Sequence, residues 1–467
     1  MSYGRRKIYT DARVITVENV VDEVNRAYAT HCVNKAEIDK LWETYRGKTA
    51  ILSKTKEIRE DINHTINENR AYEIVSFHKG YVFGEPIQYV RRENAVEADN
   101  DDALAADINA LNGYMSDANK PSCDNSLAEW MYVAGLGYRL ALPTKVWDKD
   151  GDEPPFEIFT LDPRRAFVVY SSDIDEHPVM AVYCSEKQDG TKVFSVYTKE
   201  LYFVFEEHGN VKASNNVLGM IPIIEYPADN ARLGVFEIVL TLLNALDELQ
   251  SNRMDDIVQF VNSFLAILGG ELDEDTYNKL NAYKTLCLPE GADAKYLSPQ
   301  MSQSDVQTLK DDLYQSILTI CGVPNRNGGS STSDTGSAVV LRDGWQAAEA
   351  RAKATEAIFK SAEKQFLKIV LRILRDRGGT NLRLRDIVPH FTRRNYDNIA
   401  SKSQVLIAML NNPKIHPEVA YAACGMFADP ESAYLQGMAY YTEQMEKWNP
   451  VDVDENEGED EDNVSAS

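Results

Sequence analysis

Apolar residues between 233 and 268 fall on one stripe. Val235, Val239, Leu242, Leu246 and Leu249 are spaced 4, 3, 4 and 3, and the stripe resumes at Met254, Ile257, Val261, Phe264 and Leu268. This is the period of an amphipathic helix, and an unbroken one would be roughly 50 Å long. Away from the stripe lie Asn244, Asp247, Glu248, Ser251, Asp255 and Asp256, a notably acidic set. Gly269-Gly270 ends the pattern. A second helix is predicted from near Ser302 or Ser304, where Ser302-x-x-Asp305 resembles a capping signal. Its seam is Val306, Leu309, Leu313, Ile317 and Ile320. The longest helical pattern runs from Ser337 to about Arg377, with a stripe of Leu341, Trp345, Ala348, Ala352, Phe359, Ala362, Phe366, Ile369 and Ile373, and Gly378-Gly379 stops it.

Between the second and third helices lies Gly322 to Leu341, whose middle, Asn325 to Ser337, holds no apolar residue. A long loop inside a helical region is uncommon and is usually functional or disordered. It has nothing to bury and is free to face something outside the subunit, for which duplex DNA is the best candidate.

The N-terminal part predicts helices from Asn34 to about Gly84, with a second pattern over Lys56 to Tyr81. A polar, acidic break from Glu93 to Asp107 reads as an exposed loop leading into further helix around Leu111 and Ala128 to Val133. From Pro155 to Tyr226 the character changes. Phe156–Leu161, Ala166–Tyr170, Val179–Tyr183 and Val193–Tyr197 are rich in β-branched and aromatic residues, separated by turn formers such as Asp162-Pro163 and Asp189-Gly190. They predict an antiparallel meander in an α+β domain ending near Pro227. Between residues 269 and 301 a compact insertion is expected, with a short helix near Asp275 to Lys284 and strands at Leu286–Leu288 and Lys295–Leu297. Shorter helices broken by Pro389, Pro413, Pro417 and Pro430 follow, up to Lys447. No repeat of solenoid period is visible.

The length of 467 residues suggests about three domains, and 43% hydrophobic residues suffice for a real core. The net charge of −24 is unlike that of proteins that grip phosphates with clustered cations. Residues 449–467 carry eight acidic and no basic residues, so the remaining chain still has a charge of −16. One basic concentration stands against this background: Lys364, Lys368, Arg372, Arg375, Arg377, Arg383, Arg385, Arg393, Arg394 and Lys402. It reads either as cations complementing a helix C-terminus or as a contact for nucleic acid or an acidic partner.

Cys32, Cys123, Cys184, Cys287, Cys321 and Cys424 form no C-x-x-C pair, which argues against a zinc site or disulfide framework and fits a reducing compartment. No apolar run follows the N-terminus, so no signal peptide is expected, and the most apolar segment, Ile257 to Leu268, is too short to span a bilayer. There is no phosphate loop. Gly135-Leu-Gly137 lacks the third glycine of a dinucleotide fingerprint and reads as a tight turn. His31, His64, His78, His177, His208, His390 and His416 never pair at ligand spacing. Neighbouring carboxylates such as Asp247-Glu248 or Asp311-Asp312 point in different directions on a helix and read as an exposed acidic face. The expectation is a structural machine, not an enzyme, with no metal and no cofactor.

The order of these elements resembles the tailed-bacteriophage portal proteins of the siphophage type. His78-Lys-Gly-Tyr-Val-Phe-Gly-Glu-Pro-Ile is similar to that family's early helix exit, and Gly137-Tyr-Arg-Leu-Ala-Leu to its next glycine turn. Leu218-Gly-Met-Ile-Pro-Ile-Ile-Glu-Tyr resembles the segment before its first channel helix. Cys321-Gly-Val-Pro and Thr335-Gly-Ser-Ala bracket a loop as in the family.

The resemblance, over about Lys35 to Tyr434, implies a mainly helical α+β portal fold. Its parts would be an outer wing over residues 1–232, containing the antiparallel β region, and a first stem helix over 233–268. A clip over 269–301, a second stem helix over 302–321 and a tunnel loop over 322–337 would follow. A long wing-to-crown helix over 338–377, a crown over 378–448 and an acidic disordered tail over 449–467 would complete the chain. It implies a homo-oligomeric ring, expected to hold twelve subunits, at one vertex of the capsid. Double-stranded viral DNA would be packaged and ejected through that ring, which would also serve as the head–tail connector of the virion. Assembly would take place in the host cytoplasm. The implied partners are the terminase large subunit, the head–tail adaptor, the major capsid protein and a scaffold protein, with no membrane.

The implied tunnel-loop residues are Asn325, Arg326, Asn327, Gly328, Gly329, Ser330, Ser331, Thr332 and Ser333. Stem-lumen candidates are Asp247, Glu248, Asp255, Asp311 and Asp312. Clip candidates for docking terminase or adaptor are Glu271, Asp273, Tyr277, Lys284 and Lys295. The loop holds only one cation, Arg326, which speaks against tight gripping. Acidic walls would repel a rod bearing one charge per ~1.7 Å and keep it centred. Two rivals make other predictions: a helical scaffold would show no annulus, and a nucleic-acid enzyme would need a carboxylate metal cluster or a phosphate loop.

Overall fold

The computed structural model describes residues 4–57, 60–92, 101–148, 153–207, 209–261, 264–268, 293–297, 303–325, 344–377, 380–393, 399–427 and 430–448. The chain divides into two compact units, Met1–Arg393 and Arg394–Ser467.

The first unit opens with β1 (Ile8–Thr10) and α1 (Val20–Tyr45). The buried residues of α1, Val20, Val24, Ala27, His31, Asn34, Ile38, Leu41 and Tyr45, alternate spacings of 4 and 3, so one stripe faces the protein along the whole helix. This helix starts well before the expected Asn34. Among the described residues the pattern over Lys56 to Tyr81 is helical only in α2 (Arg70–Phe83), where Asn69 at φ 47° caps the first turn through its side chain. The residues before it form an irregular strap. After β2 (Gln88–Arg91), the acidic break also differs from expectation, because α3 (Asp101–Asp117) already begins within it. Then come α4 (Lys120–Ala134) and β3 (Leu136–Pro143).

All four predicted strands form: β4 (Phe156–Leu161), β5 (Ala166–Ser171), β6 (Pro178–Glu186) and β7 (Lys192–Tyr197). They are joined by β8 (Leu201–Glu206), β9 (Lys212–Asn215) and β10 (Ile223–Pro227). The meander β5-β6-β7-β8-β9 is antiparallel, with β1 added in parallel to β5. However, β4 belongs to a second sheet, ordered β10-β3-β4. One face of the larger sheet, with Phe167, Val169, Val182, Phe194, Val196 and Phe203, is covered by Val20, Val24 and Ala27 of α1.

Downstream, α5 (Leu240–Val261) follows a short 3-10 turn, and β11 (Phe264–Leu268) pairs antiparallel with β12 (Asp293–Leu297). The single helix expected over 233–268 is therefore wrong at both ends. Its helical part is 22 residues, about 33 Å, and Phe264 and Leu268 belong to a strand whose aromatic and branched residues suit that state. Of the two strands expected in the insertion, Lys295–Leu297 is found, and its partner is β11. Leu286–Leu288 and the helix near Asp275 lie outside the described residues.

The second expected helix is α6 (Gln303–Cys321), and the third is α7 (Trp345–Asp376), entered at Gly344 with φ 83°. From Ala348 to Ile373 the described stripe of α7 is buried. It runs through the main core, a cluster that also holds residues of α2, α4, β10, α5 and α6. The compact unit does not end near Pro227 as expected but continues to Arg393. After α7, β13 (Ile387–His390) pairs with β2, so residues 380–393 belong to the first unit and not to a crown starting at 378.

The second unit contains α8 (Ile399–Leu410), α9 (Pro417–Cys424) and α10 (Pro430–Trp448). His416 caps α9 and Pro417 opens it, a favoured first-turn position. Residues 449–467 lie outside the described residues.

Candidate functional site

The helices α5 and α6 pack as a pair, tied by Arg253 Nη1 donating to Gln307 Oε1 at 2.9 Å. Where they meet the body, Leu243, Leu246, Ile317 and Leu318 are buried. Further along, the stripe stays open: Met254 is 38% exposed, Ile257 39% and Leu309 50%.

The five acidic candidates on these helices separate into two groups. Glu248, Asp311 and Asp312 are exposed. Asp247 and Asp255 are buried at 5% and 1% exposure, which corrects their expected place on a lumen wall. The irregular strap covers them. Asp247 accepts from Glu68 N at 3.1 Å, Ser251 Oγ from Ile66 N at 2.9 Å, and Asp255 from His64 N at 2.7 Å. Acceptors four residues apart on a helix are spaced ~6 Å, and amides two residues apart on an extended chain ~6.6 Å. The two periods match, so the strap and α5 run in opposite directions as a side-chain ladder.

Asp255 also binds Lys56 at 2.5 Å, Lys54 at 3.1 Å and His64 Nδ1 at 2.8 Å. Burial pushes its carboxyl upward, but these donors outweigh it and hold the group well below the usual carboxylate range. At Asp247 burial wins and the carboxyl is raised, despite bonds from Glu68 N–H and the Thr49 hydroxyl.

The polar loop is described at its first end only, over residues 322–325. At the first end Gly322 turns at φ 68°. The carbonyls that close α6 are taken by distant side chains. Cys321 O accepts from Arg351 Nη1 at 2.7 Å and lies 2.8 Å from His78 Nε2, while Ile320 O accepts from Arg351 Nη2 at 2.9 Å. Burial lowers the His78 pKa to about 4, so the ring is neutral and donates from Nε2 to that carbonyl. Arg326, Asn327, Gly328, Gly329, Ser330, Ser331, Thr332 and Ser333 lie outside the described residues, as do Glu271, Asp273, Tyr277 and Lys284. Asn325 ends the described segment, and Lys295 lies opposite Ala266 in the β11–β12 pair.

Sequence reasoning missed a buried ionic cluster beneath α7. Glu363, fully buried, lies 3.0 Å from Arg139 Nη1 and 3.1 Å from Lys120 Nζ. It accepts from Tyr226 Oη at 2.8 Å and Tyr89 Oη at 2.5 Å. Asp124 pairs with both Arg139 and Lys120. Burial opposes ionisation of Glu363, but Lys120 and Arg139 prevail and hold its pKa below the ordinary range.

Gly135 ends α4 at φ 82°, and a Cβ there would lie 2.1 Å from Arg232 O, the tight backbone turn expected of it. Among the described residues no group of three or more His, Cys, Asp or Glu side chains could hold a metal ion.

The packed helices α5 and α6 and the antiparallel pair β11–β12 are thus in place. Residues 26–457 match the model of the family described as phage portal protein, SPP1 Gp6-like. The chain belongs to this family. Its role is that of a portal channel, and the family is structural, not enzymatic.

Similar solved structures include one described as the virion of a native gene transfer agent (GTA) particle. The identity is 13% and the TM-score 0.45, over 84% of this chain and 94% of that one. Another is the neck of the native GTA particle computed with C12 symmetry, at 12% identity and TM-score 0.44, again over 84% and 94%. No curated protein matches the portal chain.

Proposed function

We propose that identical copies of this portal protein close into a ring, expected to hold twelve, around a channel through which the viral duplex is packaged and later ejected. The observation that carries this reading is the family match over residues 26–457. Supporting it, Met254, Ile257 and Leu309 form an apolar stripe on paired helices that the protomer leaves uncovered. Neighbouring copies in a closed ring cover such stripes without leaving an open edge.

On this reading α5 and α6 form the stem and 269–301 the clip that docks terminase and later the adaptor. Residues 322–337 form the tunnel loop, and the helices of the second unit form the crown. The shell protein and a scaffold protein contact the ring during assembly. Exposed Glu248, Asp256, Asp311 and Asp312 border the channel, where their charge keeps the duplex centred instead of held.

End-on class averages of the purified protein test the ring: an open annulus is expected, and a compact monomer in solution and in particles would refute it. A deletion of Asn325 to Ser333 tests the loop, since these residues offer no apolar side chain to a core. Rings should still assemble while packaging or retention of DNA drops, and loss of assembly would remove the luminal role.

A further inference from the structure

We propose that the exposed side of the C-terminal half of α7 is a docking track for the phosphate backbone of duplex DNA, formed by Lys364, Lys368, Arg372 and Arg375. All four side chains are exposed and recur at spacings of 4, 4 and 3, along one side of the helix. They span about 16 Å.

Three observations separate this track from an ordinary solvated helix face. The first is neutralisation. Earlier on α7, Lys353 pairs with Glu349 and Lys360 with Glu356, and Arg351 is spent on the carbonyls of α6. Along the track only Arg372 has a carboxylate, Asp376 at 2.9 Å, and Lys368 reaches the neutral Gln365 at 3.1 Å. Among the described residues no carboxylate pairs with Lys364, Lys368 or Arg375. In a chain of net charge −24, three cations on one helix side without a carboxylate partner stand out.

The second is distance from the helix end. Cations near a C-terminus complement the helix dipole, but that effect fades within the last turn. Lys364 lies about 18 Å and Lys368 about 12 Å before Asp376 along the axis, beyond its reach.

The third selects the partner. Protein interfaces take their affinity from apolar and aromatic anchors at the centre. No large hydrophobic residue of α7 is exposed, and the other exposed positions from 361 to 376 are Ser361, Gln365 and Asp376. A cationic row without anchors suits a phosphate backbone, which is bound electrostatically and without sequence reading. A duplex carries roughly ten charges along 16 Å of axis, enough to engage the whole row.

The inference rests on the portal reading, which brings duplex DNA to this protein. Its test is fluorescence anisotropy of a labelled random-sequence duplex with the full-length assembled protein over a series of salt concentrations. The triple variant Lys364→Gln/Lys368→Gln/Arg375→Gln is compared with Lys353→Gln, a paired cation elsewhere on the helix. The triple variant should bind at least tenfold more weakly at low salt. Its slope of log affinity against log salt should be shallower by about 2 to 3, at ~0.9 per phosphate contact, with Lys353→Gln unchanged. An unaltered slope, or no duplex binding by the wild type, overturns the proposal, even if the row then proves to hold an acidic protein. End-on images of the same samples keep the two readings apart. An annulus with an unaltered slope sinks the track alone, and a protein without an annulus sinks the ring.

Discussion

Arg351, in the second turn of α7, donates both guanidinium branches to the last carbonyls of α6, reaching Cys321 O at 2.7 Å and Ile320 O at 2.9 Å. The end of α6 and the start of α7 are therefore clamped together, on either side of residues 326–343. Helix ends leave carbonyls without intrahelical partners, and here a planar fork serves two of them. Arg351→Met should destabilise the protein by about 1–3 kcal/mol. Exchange of the Val323 amide, which now donates to Leu318 O at 2.9 Å, should quicken. Lysine should rescue poorly because it lacks the fork. Unchanged exchange at Val323 in Arg351→Met would show that the clamp is idle.

The ladder between the strap and α5 makes a graded prediction. Ser251→Ala removes the acceptor for Ile66 N, about 1–2 kcal/mol. Asp255→Ala leaves Lys54 and Lys56 beside an empty site and should cost more, roughly 3 kcal/mol. Ile66→Pro deletes the amide itself and should resemble Ser251→Ala, with little added when the two are combined. Urea midpoints measure all of these, and full additivity of the last pair would mean that the ladder is not a unit.

The same ladder marks where the sequence could be read and where it could not. The seams of α6 and α7 and the strands β4 to β7 are local periodicities, and the elements form. However, α7 opens at Trp345 and not at the expected Ser337, and Leu309 and Ile320 of the α6 seam are exposed. The stripe Asp247, Ser251, Asp255 was also visible, but a polar stripe opposite an apolar one fits water, DNA or a buried strap equally. The covering residues lie some 180 positions earlier, at His64 to Glu68. Glu363 was still less legible. Its partners come from α4, β3, β2 and β10, and Arg139 sits in a strand whose neighbours are nearly all apolar. One signal was available: Glu363 stands between Ala362 and Phe366 on the buried stripe of a helix, a place where a charge requires a partner. The break at Val261 was hidden because Phe264 to Leu268 continues a helical spacing that a paired strand overrides.

The buried cluster yields a comparison between partial and complete removal. Glu363→Ala leaves Arg139 and Lys120 sharing Asp124 in a dry interior and should destabilise by about 3–5 kcal/mol. Replacing the set together, as Glu363→Met/Arg139→Met/Lys120→Met/Asp124→Leu, should cost less than Glu363→Ala alone, because no unpaired charge remains. Thermal unfolding of the two variants decides it. The reverse ranking would mean that the ions contribute net stability.

The last prediction concerns pH. His31 and His78 are buried, and burial lowers both from an ordinary 6.5 to about 4, with the Arg164 and Cys321 carbonyls opposing only in part. Because the folded values lie below the unfolded one, the unfolded chain takes up protons first as pH falls. Stability is therefore complete above pH 6.5, declines between 6.5 and 4, and levels off below, with each ring contributing roughly 3 kcal/mol to the loss. Most carboxylates begin to titrate only near the lower end of this window, so the stretch from 6.5 to 4.5 belongs largely to these histidines. His78→Gln can keep a donor toward Cys321 O without the titration, and His31→Gln likewise toward Arg164 O. Urea unfolding at pH 7 and pH 5 should show a clear loss for the wild type and a much smaller one for the double variant. Equal losses in both would place the acid sensitivity elsewhere.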